Sequence, residues 1–312
     1  MARIVISEFM DERAVAQLAA VHDVRYDPRL VDDGAALIAE AARADALIVR
    51  NRTQVRGALL AALMRCKVVG RLGVGLDNID VDACAARAID VIPATGANAL
   101  SVAEYVIATA LLLVRGAYRS TDDVIAGRWP RSALGSGREV HGKTLGVVGY
   151  GSTGRLVGKL AQGLGINVIA YDPMLGADDA AFHATGVRAV GLDELVASAD
   201  IVSLHVPLLA STKNLFDGAR IAAMKPGAVL IDSARGGIVD EAALAAALKA
   251  GRLGGAALDV FEHEPLAAGN DFVDCPNLIL TPHIAGVSAE ANERVSFLIA
   301  QRVLEALAAW RP

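Results

Sequence analysis

Gly149-Tyr-Gly151-Ser-Thr-Gly154 follows the apolar run Leu145-Gly-Val-Val148 and precedes a stretch of helical period, Leu156–Leu164. In that setting each glycine has a separate use. The first permits a tight turn, the second lets a pyrophosphate approach the backbone, and the third lets helix and strand pack closely. Free N–H groups at the helix start, around Ser152 and Thr153, then face the anion. Asp172 ends the next candidate strand, Val168-Ile-Ala-Tyr171, about 20 residues past the turn, where a carboxylate accepts hydrogen bonds from a dinucleotide ribose and repels a 2′-phosphate. The next arginine is Arg188, so the pattern favours NAD over NADP. A second glycine pair, Gly73-Val-Gly75, lacks a third glycine and a helix directly after it; it reads as a loop whose Val74 and Gly75 amides hold a carboxylate.

Arg235, Glu264 and His283 each follow a separate candidate strand, Val229–Asp232, Ala256–Asp259 and Leu278–Thr281. In a parallel sheet, positions just past strand ends gather at one edge, which is also where the glycine turn sits. A neutral imidazole is suited to taking a hydroxyl proton near neutral pH, a carboxylate beside it orients the ring, and a guanidinium grips the carboxylate of a 2-oxo acid and polarises its carbonyl. That is the equipment for hydride transfer between an alcohol and a nicotinamide. Gly236 and Gly237 would let substrate and cofactor come close to Arg235. His263, between Glu262 and Glu264, is a competing proton carrier, and His205, followed by Val206-Pro207, suits packing along the nicotinamide. No helical i, i+4 ligand pair accompanies His263, Glu264 and His283, so no metal is expected.

The chain that must position these groups has 312 residues, 54% hydrophobic and 21% charged, enough for two sizeable cores. Thirty Lys+Arg against 35 Asp+Glu leave a net charge of −5, which argues against nucleic acid or an anionic membrane as partner and for a small molecule. The N-terminus lacks the apolar core of a signal peptide, and the longest apolar stretch, Tyr105–Val114, is short of the roughly 20 residues a bilayer requires; the chain reads as cytoplasmic. Cys66, Cys84 and Cys275 are odd in number and far apart, and are expected to be buried packing residues.

Short Val/Ile-rich runs alternate with Ala-rich helical stretches, the pattern of parallel strands covered by helices on both faces. Candidate strands are Arg3–Ser7, Ala46–Arg50, Val68–Leu72 and Asp90–Pro93, then Thr144–Gly149, Asn167–Asp172, Asp200–His205, Ala228–Ser233, Ala256–Val260 and Asn277–His283. This is α/β throughout, two doubly wound parallel-sheet domains. Asn98–Tyr118 reads as one long helix with a capping-box start at Ser101-Val-Ala-Glu104, and Gly127–Gly137 as an extended arm or loop. The final helical stretch, Val287–Trp310, is expected to fold back on the first strand set. The expected domains are 1–97 with 287–312, for substrate, and 98–286, for NAD. Ala44-Asp-Ala-Leu-Ile-Val-Arg50 and Ala199-Asp-Ile-Val-Ser-Leu-His205 echo each other weakly.

Leu145–Gly154, Ile231-Asp-Ser-Ala-Arg-Gly-Gly-Ile-Val-Asp240, Ala257-Leu-Asp-Val-Phe-Glu-His-Glu-Pro265 and Leu280-Thr-Pro-His-Ile-Ala-Gly286 resemble the signatures of NAD-dependent D-2-hydroxyacid dehydrogenases. The resemblance runs over nearly the whole chain. Arg71–Asp80 and Ser101–Glu104 are most similar to 3-phosphoglycerate dehydrogenase and its short relatives. It implies a Rossmann cofactor domain inserted in a flavodoxin-like substrate domain, with Arg235 as substrate anchor, Glu264 as partner and His283 as acid/base. It also implies cofactor contacts from Gly149, Gly151, Ser152, Thr153, Gly154, Asp172, His205, Val206, Pro207, Thr212, Ser233, Ala234, Arg235, Asp259, His283, Ala285 and Gly286, with Asp259 near the nicotinamide amide. Because the sequence ends at Pro312, without the regulatory domain of the long phosphoglycerate dehydrogenases, feedback by serine is not expected.

Arg50-Asn51-Arg52 follows an apolar strand, and Arg71 follows the next. If they face the cleft, the substrate carries a second anion beside the carboxylate held by Arg235 and the Val74-Gly75 amides, which points to a three-carbon acid of the 3-phosphoglycerate or sulfolactate type. The alternatives are a glyoxylate/hydroxypyruvate reductase and a non-catalytic NAD-sensing co-repressor. A homodimer is expected through Ala103–Tyr118 and the arm carrying Trp129.

Overall fold

In the computed structural model, which describes residues 1–176 and 178–310 and, of Arg119, the backbone only, the chain divides into two compact units. One is Met1–Asn98 with Val287–Pro312, the other Ala99–Gly286. Arg311 and Pro312, placed in the substrate domain by the sequence reading, lie outside the described residues.

The first unit is built on strands β1 (Arg3–Ile6), β2 (Asp23–Tyr26), β3 (Ala46–Val49), β4 (Val68–Arg71) and β5 (Asp90–Pro93), all parallel in the order β2-β1-β3-β4-β5. β1, β3 and β4 are almost wholly buried, as central strands covered on both faces must be. β2, missing from the sequence reading, is an edge strand of alternating exposure, Asp-Val-Arg-Tyr, whose two charges hide it from an apolar-run search. The last helix, Ala289–Ala309, lays Val295, Ile299, Val303 and Leu307 on one side of this sheet. Gly70 leaves room for it: a Cβ there would lie 2.8 Å from the Ile299 side chain.

The second unit holds β6 (Thr144–Val148), β7 (Asn167–Tyr171), β8 (Arg188–Ala189), β9 (Ile201–Leu204), β10 (Val229–Asp232), β11 (Gly255–Leu258) and β12 (Leu278–Leu280), parallel throughout in the order β12-β11-β10-β9-β6-β7-β8. The chain winds outward one way from β6 and the other way from β9, so the topological switch lies between them. The long helix runs Ala99–Arg115; it begins two residues before the expected Ser101 cap because Ala99 is already buried and wound into the first turn. The arm Gly127–Gly137 is not wholly extended, since Arg131–Leu134 forms a short helix, and a second short helix, Thr121–Ile125, precedes it.

The echo between the two halves has a structural basis. Asp45, just before β3, accepts the Arg3 N–H at 2.8 Å, and Asp200, just before β9, accepts the Thr144 N–H at 3.0 Å. Each carboxylate thus starts the ladder between a central strand and its neighbour. Cys66 and Cys84 are buried, but Cys275 is half-buried rather than core, because it follows a loop at the sheet edge. Among the described residues no helix is long and apolar enough to cross a membrane.

Candidate active site

The glycine turn sits at the switch point, joining β6 to the helix Ser152–Gly163. Gly149 has φ +93°, and a Cβ on it would lie 2.8 Å from the His205 carbonyl, so the ends of β6 and β9 meet there without a side chain between them. A Cβ on Gly154 would lie 2.2 Å from the Gly149 oxygen, whereas one on Gly151 would meet nothing within 4 Å. The middle glycine therefore opens outward, and as N-cap it gives the helix's first N–H groups no side-chain partner. This is a cradle for an anion at a helix start. Asp172 is fixed beside it, its carboxylate accepting the N–H groups of Tyr150 (2.8 Å) and Met174 (2.9 Å).

The loops after β10, β11 and β12 are locked together by contacts of another kind. A Cβ on Gly236 would sit 1.8 Å from the Phe261 carbonyl oxygen, so this glycine lets the Arg235 loop lie directly on the Phe261–Glu262 backbone. This packing is a use of the missing side chain that the sequence reading did not include. Glu264 carries both of the loop's duties: Oε1 accepts the Phe261 N–H at 3.1 Å and Oε2 lies 2.8 Å from His283 Nδ1. The side chains of this pair are 37% and 44% exposed, so ligand and solvent can both reach the ring. His283 itself has φ +56°, a conformation that favours glycine or asparagine and is held only when the surroundings over-determine it. Asp259, 1% exposed, supplies that constraint. Its oxygens accept from the Ile284 and Ala285 N–H groups, both at 2.8 Å, and from Thr281 Oγ1 at 2.6 Å, while the Thr281 hydroxyl also meets the Tyr105 hydroxyl of the long helix at 2.7 Å. Burial pushes the Tyr105 phenol up to about 12, so it remains a neutral hydrogen-bonding group.

Arg235 donates from Nη1 to the Ala234 carbonyl at 2.5 Å. Behind it, Asp232 accepts the Ala234 N–H at 2.9 Å, and burial pushes its carboxyl up to about 7 against the opposing pull of the neighbouring N–H groups. Ser233 Oγ is buried without a hydrogen-bond partner among the described residues, a polar atom left for a ligand. His205 hydrogen-bonds Ser203 Oγ at 2.8 Å, and burial pushes its imidazole down to about 4, which fits packing better than proton transfer. Val206 is buried and Pro207 exposed; the Thr212 hydroxyl ties their loop by donating to the Pro207 carbonyl and accepting the Leu209 N–H. His263 is exposed, and among the described residues no cluster of three or more His, Cys, Asp or Glu side chains is arranged to hold a metal ion.

The first unit holds the other expected residues. Arg50 is half-buried; its guanidinium donates to Asn292 Oδ1 at 2.7 Å and lies 5.7 Å from the Phe9 ring centre. Burial lowers its pKa, an effect that the nearby Glu8 carboxylate opposes. Arg52 is exposed and paired with Asp32, and Asn51 is exposed. Arg71 is buried, its guanidinium against Gly73, with Val74 exposed and Gly75 half-buried beyond. The sequence reading missed Glu8 and Asn78, which hold the Arg50–Thr53 loop, and Thr281 and Tyr105, which hold the His283 loop.

A doubly wound domain with an anion cradle at its switch point, and a histidine–carboxylate pair and an arginine on neighbouring strand ends, defines a dinucleotide-dependent dehydrogenase. The family model for the NAD-binding domain of D-isomer specific 2-hydroxyacid dehydrogenases matches residues 107–285. The chain is 55% identical over 307 residues to a protein of Chromohalobacter salexigens named (S)-sulfolactate dehydrogenase, covering 98% of this chain and 99% of that one. It is 40% identical over 268 residues to D-3-phosphoglycerate dehydrogenase of Archaeoglobus fulgidus, covering 86% of this chain but only 50% of that one. A crystal structure of a Thermus thermophilus protein matches with a TM-score of 0.89 at 30% identity, covering 99% of this chain and 98% of the other. The chain belongs to the D-isomer specific 2-hydroxyacid dehydrogenase family. It is an NAD-dependent oxidoreductase of 2-hydroxy acids.

Proposed function

We propose that this enzyme interconverts a three-carbon 2-hydroxy acid bearing a second anion, of the sulfolactate or 3-phosphoglycerate type, with its 2-oxo acid. The observation that carries this reading is Arg50: a half-buried guanidinium held by an amide oxygen and an aromatic ring rather than by a carboxylate in contact, and so left with charge to offer an anion. The likeness over nearly full length to a protein named sulfolactate dehydrogenase supports it.

His283 takes the hydroxyl proton on Nε2 while its Nδ1–H donates a hydrogen bond to Glu264, whose carboxylate stays ionised and stabilises the imidazolium. NAD, when bound at the glycine turn, would supply the hydride acceptor for the carbon that bears this hydroxyl. In the second unit Arg235 holds the substrate carboxylate; in the first, the Val74 and Gly75 amides are donors for a carboxylate, and Arg50, flanked by Asn51 and Arg52, takes the second anion. The turn Gly149, Gly151, Ser152, Thr153 and Gly154 holds the pyrophosphate and Asp172 the ribose. His205, Val206, Pro207, Thr212, Ser233, Ala234, Ala285 and Gly286 line the rest of the cofactor. Asp259 serves chiefly by fixing the His283 loop.

The test compares kcat/KM for oxidation of sulfolactate and 3-phosphoglycerate with that for glycerate. An anionic tail should raise it, and Arg50→Ala should remove most of that gain, about 30-fold or more for a truncated charge pair. Arg52→Ala should matter less because Arg52 already faces Asp32. Equal efficiency with and without the tail, unchanged by either substitution, would overturn the reading in favour of a glyoxylate/hydroxypyruvate reductase; NAD binding without turnover of any acid would favour a co-repressor.

We also infer a cytoplasmic homodimer. Unpaired cysteines and NAD dependence fit a reducing compartment. Tyr118, Ile125 and Trp129 are exposed on the segment following the long helix, Trp129 by 76%, an apolar set that a second copy would cover. A monomeric mass at micromolar concentration would refute the dimer.

A further inference from the structure

We propose that Glu8 is a positioning residue that presets the Arg50–Thr53 loop for the substrate's second anion, an inference that rests on Arg50 taking that anion. Glu8 lies two residues past β1 and is only 4% exposed, and a carboxylate so placed must be hydrogen-bonded to be tolerated. Its partners are all backbone N–H groups of one loop. Oε1 accepts from Arg50 (2.8 Å) and Thr53 (3.0 Å), and Oε2 accepts from Arg52 (3.1 Å). Three N–H groups converging on one point form a concavity of the sort that binds free anions; here the chain fills it with its own carboxylate.

The opposite side of the loop is held as well. The buried Asn78 donates from Nδ2 to the carbonyls of Arg50 (3.1 Å) and Thr53 (2.7 Å), and the Ser7 and Thr53 hydroxyls meet at 2.9 Å. Asn51 and Arg52 are exposed, yet the backbone beneath them is fixed through both its donors and its acceptors. Two consequences follow. The N–H groups of Arg50, Arg52 and Thr53 are engaged by Glu8, so a substrate anion there is met above all by the Arg50 side chain. And Arg50, which burial penalises, has a negative neighbour in Glu8, with Phe9 against its guanidinium. One dipeptide at the end of β1 thus fixes the backbone and side chain of the anion-binding group before substrate arrives, which lowers the ordering cost of binding.

The substitution Glu8→Gln puts an NH2 group against the Arg52 N–H or against the Arg50 and Thr53 N–H groups, a donor facing a donor. Losing charge-assisted hydrogen bonds of this kind should raise KM for the anionic-tailed substrate about 10- to 100-fold. The KM for glycerate and both kcat values should stay within about threefold, since glycerate has no second anion for the loop to meet. Glu8→Asp, which keeps the charge but is one methylene shorter, should act in the same direction more weakly, and added acetate should restore KM in Glu8→Ala but not in Glu8→Gln. Hydrogen exchange at the Arg50, Arg52 and Thr53 amides, slow in the native enzyme, should speed up at least tenfold in Glu8→Gln with β3 unchanged. A wild-type preference for the anionic tail that survives Glu8→Gln, or equal losses on both substrates, overturns the role of Glu8 alone. No preference in the wild type overturns the second-anion reading and this role with it, and exchange then decides separately whether Glu8 pins the loop at all.

Discussion

Replacing Glu264 by glutamine should do more harm than replacing it by alanine. Both Glu264 oxygens act as acceptors, one from the Phe261 N–H at 3.1 Å and the other toward His283 Nδ1 at 2.8 Å. A glutamine has one acceptor. If its oxygen keeps the Phe261 N–H, its NH2 group points at Nδ1, which must then be unprotonated, leaving the proton on Nε2, the nitrogen that should be taking one from substrate. Alanine removes the charge but leaves the tautomer free. With charge centres ~4 Å apart, attraction between imidazolium and carboxylate is ~4 kcal/mol at an effective dielectric of 20 and ~1 kcal/mol in water. Side chains 37% and 44% exposed put this pair between those limits, at about 2 kcal/mol, or about 30-fold in the step that charges the ring. Glu264→Ala should therefore lose about 30-fold in kcat for alcohol oxidation, and Glu264→Gln about 10²- to 10³-fold, because the tautomer cost adds to the lost charge. Steady-state NADH formation, with NADH affinity followed by fluorescence as a control, measures both. A glutamine variant at least as fast as the alanine variant refutes the tautomer argument, and either variant within twofold of wild type refutes the coupling altogether.

His283→Ala should reduce kcat by about 10²- to 10⁴-fold while leaving NADH affinity, measured by titration, nearly unchanged, since the imidazole moves a proton and is not a principal cofactor anchor. Asp172→Ala should relax selectivity toward NADP and weaken NAD binding, because it removes a negative charge that would repel a 2′-phosphate and also frees the Tyr150 and Met174 N–H groups; unchanged kcat/KM ratios for the two cofactors would place the selectivity elsewhere. Asp232, buried with its carboxyl raised from 3.8 to about 7, is more readily protonated folded than unfolded. Its contribution to stability is thus full below about pH 4 and lost as pH rises through 7, at most about 4 kcal/mol for a shift of roughly three pH units; Asp232→Asn should flatten that stretch of the stability profile in denaturant titrations.

What the sequence made legible, and what it hid, divide along a physical line. Central strands were readable because burial on both faces leaves an unbroken apolar run, as in Ala-Leu-Ile-Val at β3. Edge strands were not, since β2 needs only one covered face and β8 is two residues long. Gly149 and Gly154 were readable because each answers a steric requirement that a side chain would violate, whereas a Cβ on Gly151 would meet no protein atom within 4 Å. Gly236 has a further role that the sequence hid: its missing side chain makes room for the backbone at Phe261, a contact between segments some 25 residues apart that no local pattern carries.

The polar residues divide the same way. Arg235, Glu264 and His283 stand out because each follows an apolar strand, and parallel topology then gathers strand ends at one edge. Glu8 also follows an apolar strand, Arg-Ile-Val-Ile, yet it reads as an ordinary solvated charge. The partners that distinguish it are backbone N–H groups more than 40 residues away, and a backbone amide leaves no mark on the sequence. Asp259 belongs to this second group, since two of its three hydrogen-bond donors are N–H groups of the His283 loop. Groups proposed to meet substrate are thus recognised by their own chemistry. The buried carboxylates that hold them in place become visible only when the folded chain shows which N–H groups they collect, so the parts of the site that set its precision are those least open to reading from sequence.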